Sequence, residues 1–167
     1  MKDFSVSSIC FGCEPLGGVD WGNIDINSIK KAIYKGLDLG VNFFDTAGVY
    51  GLGLSEERLS KILGVSRHDV VIATKGGLSW KLKSSGRAIV RRDSSPSSIR
   101  KDVETSLQRL RLERLPIFYV HWPDNITPIT DTFFELEKIR KEGKIKSIGC
   151  SNFSVHQIEE ACSVSKV

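Results

Sequence analysis

Four side chains capable of proton chemistry close or follow successive apolar runs. Asp45 ends Asn42-Phe43-Phe44, and Tyr50 lies in the loop after it. Lys75 ends Val70-Val71-Ile72-Ala73-Thr74, and His121 ends Ile117-Phe118-Tyr119-Val120. A free phenol titrates at about 10. A lysine ammonium beside it favours the phenolate and lowers that value. An aspartate paired with the lysine keeps it charged and in place. A histidine close by can orient a carbonyl oxygen by hydrogen bonding. So arranged, Tyr50 would give a proton to an oxygen as a hydride reaches the adjacent carbon, and its phenolate would serve the reverse oxidation. Taken singly, the residues have plainer readings: Asp45 as the cap of a turn, Tyr50 as a surface aromatic, Lys75 and His121 as strand-end polar groups. All four in one register favour a site.

Such a register needs a repeating scaffold, and strand-like and helix-like patterns alternate along the chain. Strands are expected at 9–11, 42–45, 70–74, 117–121 and 148–150. The first helix starts at Asp25, a good N-cap, carries Ile29, Ala32, Ile33 and Leu37 at helical spacing, and stops near Gly40. Ser55 is expected to cap a second helix running to about Leu63. Residues 76–95 read as a long Gly/Ser/Lys/Arg loop. Ser95-Pro96 opens a third helix, with Ile99, Val103, Leu107 and Leu110 as its apolar stripe. A fourth starts at Thr127-Pro128, buries Phe133, Leu136 and Ile139, and ends at Gly143; a fifth begins at Val155. Successive β-α units predict a parallel sheet with helical crossovers. Polar groups at the ends of successive strands are where (β/α) barrels carry their chemistry.

The chain has 167 residues, 24 basic and 20 acidic side chains, and a net charge of +4. The two signs are interleaved, so no nucleic-acid partner is expected. The basic stretch with Lys81, Lys83, Arg87, Arg91 and Arg92 reads as a loop over the mouth of the site, where substrate choice is usually made. Trp21, Trp80 and Trp122 fall in or near such loops as candidate walls of an apolar pocket. No apolar run approaches the roughly 20 residues of a membrane span, and no membrane partner is expected. The first residues lack the apolar core of a signal peptide, which points to the cytoplasm. Cys10 and Cys13 have C-x-x-C spacing, but no second pair accompanies them. They read as small apolar thiols, and no metal is expected.

These segments together resemble the aldo-keto reductases. Phe44-Asp45-Thr46-Ala47 with Tyr50-Gly51 is similar to that family's Asp/Tyr segment, Ala73-Thr74-Lys75 to its lysine strand and His121-Trp122-Pro123-Asp124 to its histidine segment. Gly143-Lys144-Ile145 and Ile148-Gly149-Cys150-Ser151-Asn152-Phe153 match its later block, and Gly51-Leu52-Gly53-Leu54-Ser55-Glu56 is nearest to a bacterial oxidoreductase branch. The resemblance implies Tyr50 as acid/base, Lys75 and Asp45 as its tuning pair and His121 as substrate orienter. It implies that Ser151 and Asn152 hold a nicotinamide carboxamide, with Gly12, Cys13 and Asp45 near the cofactor. NADP(H) is the expected cofactor, with NAD(H) as the alternative, and a small carbonyl or alcohol the expected substrate. No G-x-G-x-x-G fingerprint supports a Rossmann site.

The implied fold is an α/β (β/α)8 TIM barrel, with residues 1–167 forming a single N-terminal part of about five β-α units. The family's later strands, which supply an aromatic for the nicotinamide and basic residues for the adenosine phosphate, have no counterpart here. An aspartate that the family often carries before the histidine is replaced around Ile117. Self-association through an open barrel edge is expected. The competing readings are a regulatory relative of the ion-channel β-subunit kind, a Schiff-base aldolase using Lys75, and an inactive fragment.

Overall fold

The computed structural model of the chain describes residues 5–19, 21–82 and 88–167. Five strands, β1 (Cys10–Gly12), β2 (Phe43–Asp45), β3 (Val71–Gly76), β6 (Leu115–Val120) and β7 (Ile145–Cys150), form one sheet in that spatial order. Every neighbouring pair in it is parallel. Helices α1 (Ile26–Asp38), α2 (Leu54–Leu63), α3 (Pro96–Leu110), α4 (Ile129–Lys141) and α5 (Val155–Cys162) alternate with the strands.

Local signals explain most element starts. The Asp25 carboxylate accepts the Asn27 amide at 2.9 Å and caps α1. Pro96 occupies the first turn of α3, where its missing N–H costs nothing. Ser154 and Gln157 bond reciprocally across the first turn of α5, a capping box.

Register gives the sheet two unlike faces. Phe11, Phe44 and Ile72 align across the first three strands, and Thr74, Phe118 and Ile148 across the last three. Apart from Thr74, these residues pack with Ile33, Leu59, Ile99, Val103, Phe133, Leu136 and Ile139 from the helices. Each large apolar side chain buried this way stabilises the fold by about 1.5–3 kcal/mol. The alternate positions, Gly12, Asp45, Ala73, Ile117 and Ser147, form a row on the opposite face, with Lys75, Tyr119 and Gly149 one step further along.

Two segments differ from the sequence-based expectation. Residues 76–95 are not a loop throughout: β4 (Leu78–Leu82) and β5 (Ala88–Arg92) pair antiparallel, Trp80 opposite Val90. The signal was the period-two alternation of Leu78, Trp80 and Leu82 with Ser79 and Lys81, masked by the density of charge. Lys83 and Arg87 lie outside the described residues. Ser55 is not a cap. The cap position of α2 falls at Gly53, and Ser55 is buried within the first turn, its hydroxyl donating to the Cys13 carbonyl at 2.7 Å. Strands β6 and β7 begin two and three residues before their expected starts, because Leu115 pairs with Ile145 below the expected ends.

Candidate active site

The site grows from the C-terminal ends of β2, β3, β6 and β7. Asp45 is the last residue of β2 and pairs with Ala73, so Lys75 falls one step beyond it on the same face. The Lys75 ammonium reaches Asp45 Oδ1 at 2.5 Å, the Thr46 carbonyl at 2.9 Å and the Tyr50 hydroxyl at 3.3 Å. An ammonium has three protons and no lone pair. All three are therefore given away, and the Tyr50 oxygen acts as acceptor toward the lysine. The phenolic proton is left to point elsewhere.

Tyr50 is held by the loop 46–53 rather than by a strand. The Thr46 amide donates to the Ala73 carbonyl at 2.8 Å, and the Gly48 amide to the Lys75 carbonyl at 3.1 Å. Both ties fasten the loop to β3. At Gly51, with φ of 59°, the chain passes against Gly17 so closely that a Cβ would lie 2.1 Å from the Gly17 carbonyl oxygen. The phenol ring then stands edge-on to the His121 ring, centroids 5.8 Å apart and planes at 88°. Burial pushes the Tyr50 phenol above its ordinary value, although the lysine's charge and hydrogen bond pull the other way. The lysine acts in the direction expected from sequence. The expected net lowering is reversed because the loop encloses the ring.

His121 follows β6 directly, its amide donating to the Gly76 carbonyl at 2.8 Å. Its Nδ1 is buried and has no hydrogen-bond partner among the described residues. Burial, and then the positive charge of Lys75, lower the imidazole from 6.5 to about 4. The ring is neutral at physiological pH. Because the folded value lies below the unfolded one, this group's stabilising contribution is whole above about 6.5 and declines as pH falls toward 4. Asp102 on α3 works oppositely. Burial first, against the bond from the Gly77 amide, raises its carboxyl to about 6, so its contribution is whole below 3.8 and lost as pH rises through 6. The windows overlap, so total stability is a poor readout. In an NMR titration, with His121→Gln assigning the signal, the His121 ring is expected to stay neutral down to pH 5. Protonation near 6.5 would contradict its enclosure.

Ser151 and Asn152 follow β7. The Ser151 amide donates to the Val120 carbonyl at 2.9 Å. Asn152 sits at φ 62° and donates its amide NH2 to the His121 carbonyl and to Ser151 Oγ, both at 2.9 Å. The Ser151 proton and the Asn152 Oδ1 remain available to a ligand. Gly12 lies beside Asp45 in the sheet, with open space where a side chain would be. Cys13 is close in the chain, but its thiol is buried in the core, where burial raises its pKa strongly. Only its backbone reaches the site's edge, its amide donating to the Asp45 carbonyl at 2.8 Å.

A cavity of about 270 Å³ adjoins the cluster between the end of β3, the β4–β5 hairpin and α3. Trp80, Asp102 and Arg109 line it, and it shares Lys75, but not Asp45, Tyr50 or His121, with the cluster. Trp80 thus walls a neighbouring pocket. Trp122 lies under the Arg92 guanidinium at 4.4 Å, and Trp21 is exposed. Sequence reasoning missed Glu56, a wholly buried carboxylate bonded to Thr74 and Arg109. Its signal was present in the Gly51-to-Glu56 motif, where an acid follows two glycines.

The Aldo/keto reductase family model matches residues 8–167. The chain belongs to the aldo/keto reductase family. It is 36% identical over 155 residues to the aldo-keto reductase YhdN of Bacillus subtilis, covering 92% of this chain and 45% of that protein. It is 34% identical over 169 residues to the NADH-specific methylglyoxal reductase of Escherichia coli, covering 95% of this chain and 52% of that protein. The solved glycerol dehydrogenase AKR11B4 of Gluconobacter oxydans superposes with a TM-score of 0.87 at 41% identity, over 96% of this chain and 49% of that one. The chain thus spans about half the length of these relatives. Its fold is of the family's (β/α)8 barrel type, with five parallel strands among the described residues.

Proposed function

We propose that this chain carries the proton-transfer part of a nicotinamide-dependent oxidoreductase that interconverts a small carbonyl compound and its alcohol. The observation that carries the reading is the threefold donation by Lys75, which leaves the Tyr50 proton directed away from the lysine. In reduction Tyr50 gives that proton to the carbonyl oxygen; in oxidation its phenolate takes the proton back. Asp45 keeps the ammonium in place. Neutral His121 hydrogen-bonds and orients the substrate oxygen through Nε2, because Nδ1 is buried beyond a ligand's reach. The Schiff-base alternative fares badly, because an ammonium committed to three acceptors has no lone pair to attack with.

The residues at the strand ends fit a nicotinamide. A carboxamide offers one acceptor and two protons, matched by the Ser151 hydroxyl and Asn152 Oδ1, and side-chain-free Gly12 leaves room beside Asp45. When bound, the nicotinamide supplies or accepts the hydride. NADP(H) is the proposed form. The E. coli relative's name specifies NADH, so NAD(H) is tested beside it. Residues 1–167 are proposed as a single N-terminal part of the barrel.

The test is a chimera in which this chain is continued by the C-terminal half of the B. subtilis relative. Consumption of NADPH with a small aldehyde is expected. A folded chimera that binds NADPH and turns over no carbonyl would overturn the reading. For the 167-residue chain alone the expectation differs. Among the described residues, strands β1 and β7 each pair on one side only, and such edges favour self-association. The proposed cofactor contacts, at Gly12, Ser151 and Asn152, would serve only the nicotinamide end of the cofactor. Weak or absent NADPH binding and oligomers in sedimentation are expected. Micromolar binding by a monomer, in a fluorescence titration, would show this expectation wrong.

A further inference from the structure

Glu56 lies in the first turn of α2 and is 0% exposed. Its Oε1 accepts the Thr74 hydroxyl at 2.6 Å, and its Oε2 accepts from Arg109 Nη1 at 3.3 Å. Thr74 immediately precedes Lys75 in β3, and Arg109 belongs to α3. Gly53, between Tyr50 and Glu56, runs against the same guanidinium: a Cβ there would lie 2.4 Å from Arg109 Cζ. Next to Glu56, Ser55 bonds the Cys13 carbonyl and stands 2.9 Å from the Thr46 hydroxyl. The Gly51-to-Glu56 motif therefore fastens the end of the Tyr50 turn to the residues that follow β1 and β2, to β3 and to α3 at once. An apolar residue would hold α2 against the sheet without the cost of dehydrating a charge. What the carboxylate adds is direction, two bonds at fixed angles to two different elements.

We propose that Glu56 is a positioning residue that, through Thr74 and Arg109, sets the Tyr50 hydroxyl at bonding distance from the Lys75 ammonium. The proposal rests on the reading of Tyr50 and Lys75 as an acid/base pair. Glu56 touches neither the phenol nor any substrate; it acts through the turn and the strand.

The experiment reads the phenol itself in the 167-residue chain. Difluorotyrosine is incorporated at the three tyrosines, so that the phenols titrate within the native pH range, and Tyr50→Phe assigns the Tyr50 fluorine signal. The charged groups acting on Tyr50 are Lys75 from β3, Asp45 from β2 and Glu14 after β1, with the neutral His121 ring beside it. Removing the negative charge of Glu56 could by itself only lower the phenol's pKa. Losing contact with Lys75 raises it. The two effects have opposite signs.

Glu56→Ala and Thr74→Val are each expected to raise the Tyr50 titration by about one unit. Glu56→Gln, which keeps an acceptor for Thr74, is expected to restore most of the wild-type value. Lys75→Met is expected to raise it at least as far. If Glu56→Ala does not fold, near-isosteric Thr74→Val decides alone. An unchanged or lowered titration in Thr74→Val, with Lys75→Met still raising it, overturns the positioning role and leaves the pair intact. No response to Lys75→Met removes the pair, and the proposal with it.

Discussion

Tyr50→Phe is expected to lower carbonyl reduction by at least ~10²-fold in the chimera with a completed barrel. The ring stays, so its edge-on contact with His121 and its packing in the loop should persist. What is lost is the one proton aimed away from Lys75. The lysine keeps Asp45 and the Thr46 carbonyl as acceptors, and its charge remains compensated. Cofactor affinity should hardly change, because Ser151 and Asn152 stand on a different strand end and bond to His121 and to each other, not to Tyr50. The measurement is kcat for a small aldehyde beside the Kd for NADPH. A drop in kcat with an unchanged Kd is the expected pattern, and near-wild-type turnover would remove Tyr50 from the chemistry.

The largest expected effect on stability is at Gly51. In Gly51→Ala the new Cβ would meet the Gly17 carbonyl oxygen at 2.1 Å and the Gly17 Cα at 2.5 Å. Both are backbone atoms and cannot turn aside. The left-handed conformation at φ 59° adds roughly 1–2 kcal/mol for any residue with a side chain. A total cost of about 3 kcal/mol or more is expected, a large part of a typical domain's stability. Gly18→Ala is the internal control. Its φ of 72° and ψ of 15° are also left-handed, but a Cβ there meets only side-chain ends, the Arg58 guanidinium at 3.1 Å and Ile24 Cδ1 at 3.7 Å, so the conformational strain should dominate. Urea unfolding of the two variants separates the terms. Equal losses would mean that the close approach of the two chain segments contributes nothing.

Much of this architecture is legible in the sequence because its signals are local. Asp25 caps α1 and Pro96 opens α3 through bonds made, or left unmade, within a few residues of each. Asp45, Lys75 and His121 announce themselves because each ends an apolar run, and parallel register then aligns them without further instruction. The failures share a cause in that they depend on partners far along the chain. Ser55 looks like a cap in its own segment, and only the distant Cys13 carbonyl makes it a buried tie. The Glu56 bonds to Thr74 and Arg109 join three helices and strands that no spacing rule connects. The direction of the Tyr50 shift depends on how far the loop encloses the ring, which is a property of packing. The hairpin β4–β5 was missed because its alternating apolar residues stand among lysines and arginines, where charge hides the period.

The row of Gly12, Asp45 and Ala73, with Lys75 one step beyond, also decides where this chain can change length. One residue inserted within β3 ahead of Lys75 would advance the strand by about 3.3 Å and turn every later side chain over. Lys75 would then face α3, and Thr74 would take its place beside Asp45. The short turns at 39–42, 111–114 and 142–144 enter strands at the opposite end of the sheet, where the register is already fixed by pairs such as Leu115 with Ile145. Residues added there lengthen the connection and leave the strand where it was. Duplications, tags and new termini therefore have free ground at one end of the sheet, whereas at the other a single codon gained ahead of Thr74 exchanges the lysine for a threonine in the cluster, and one lost exchanges it for a glycine.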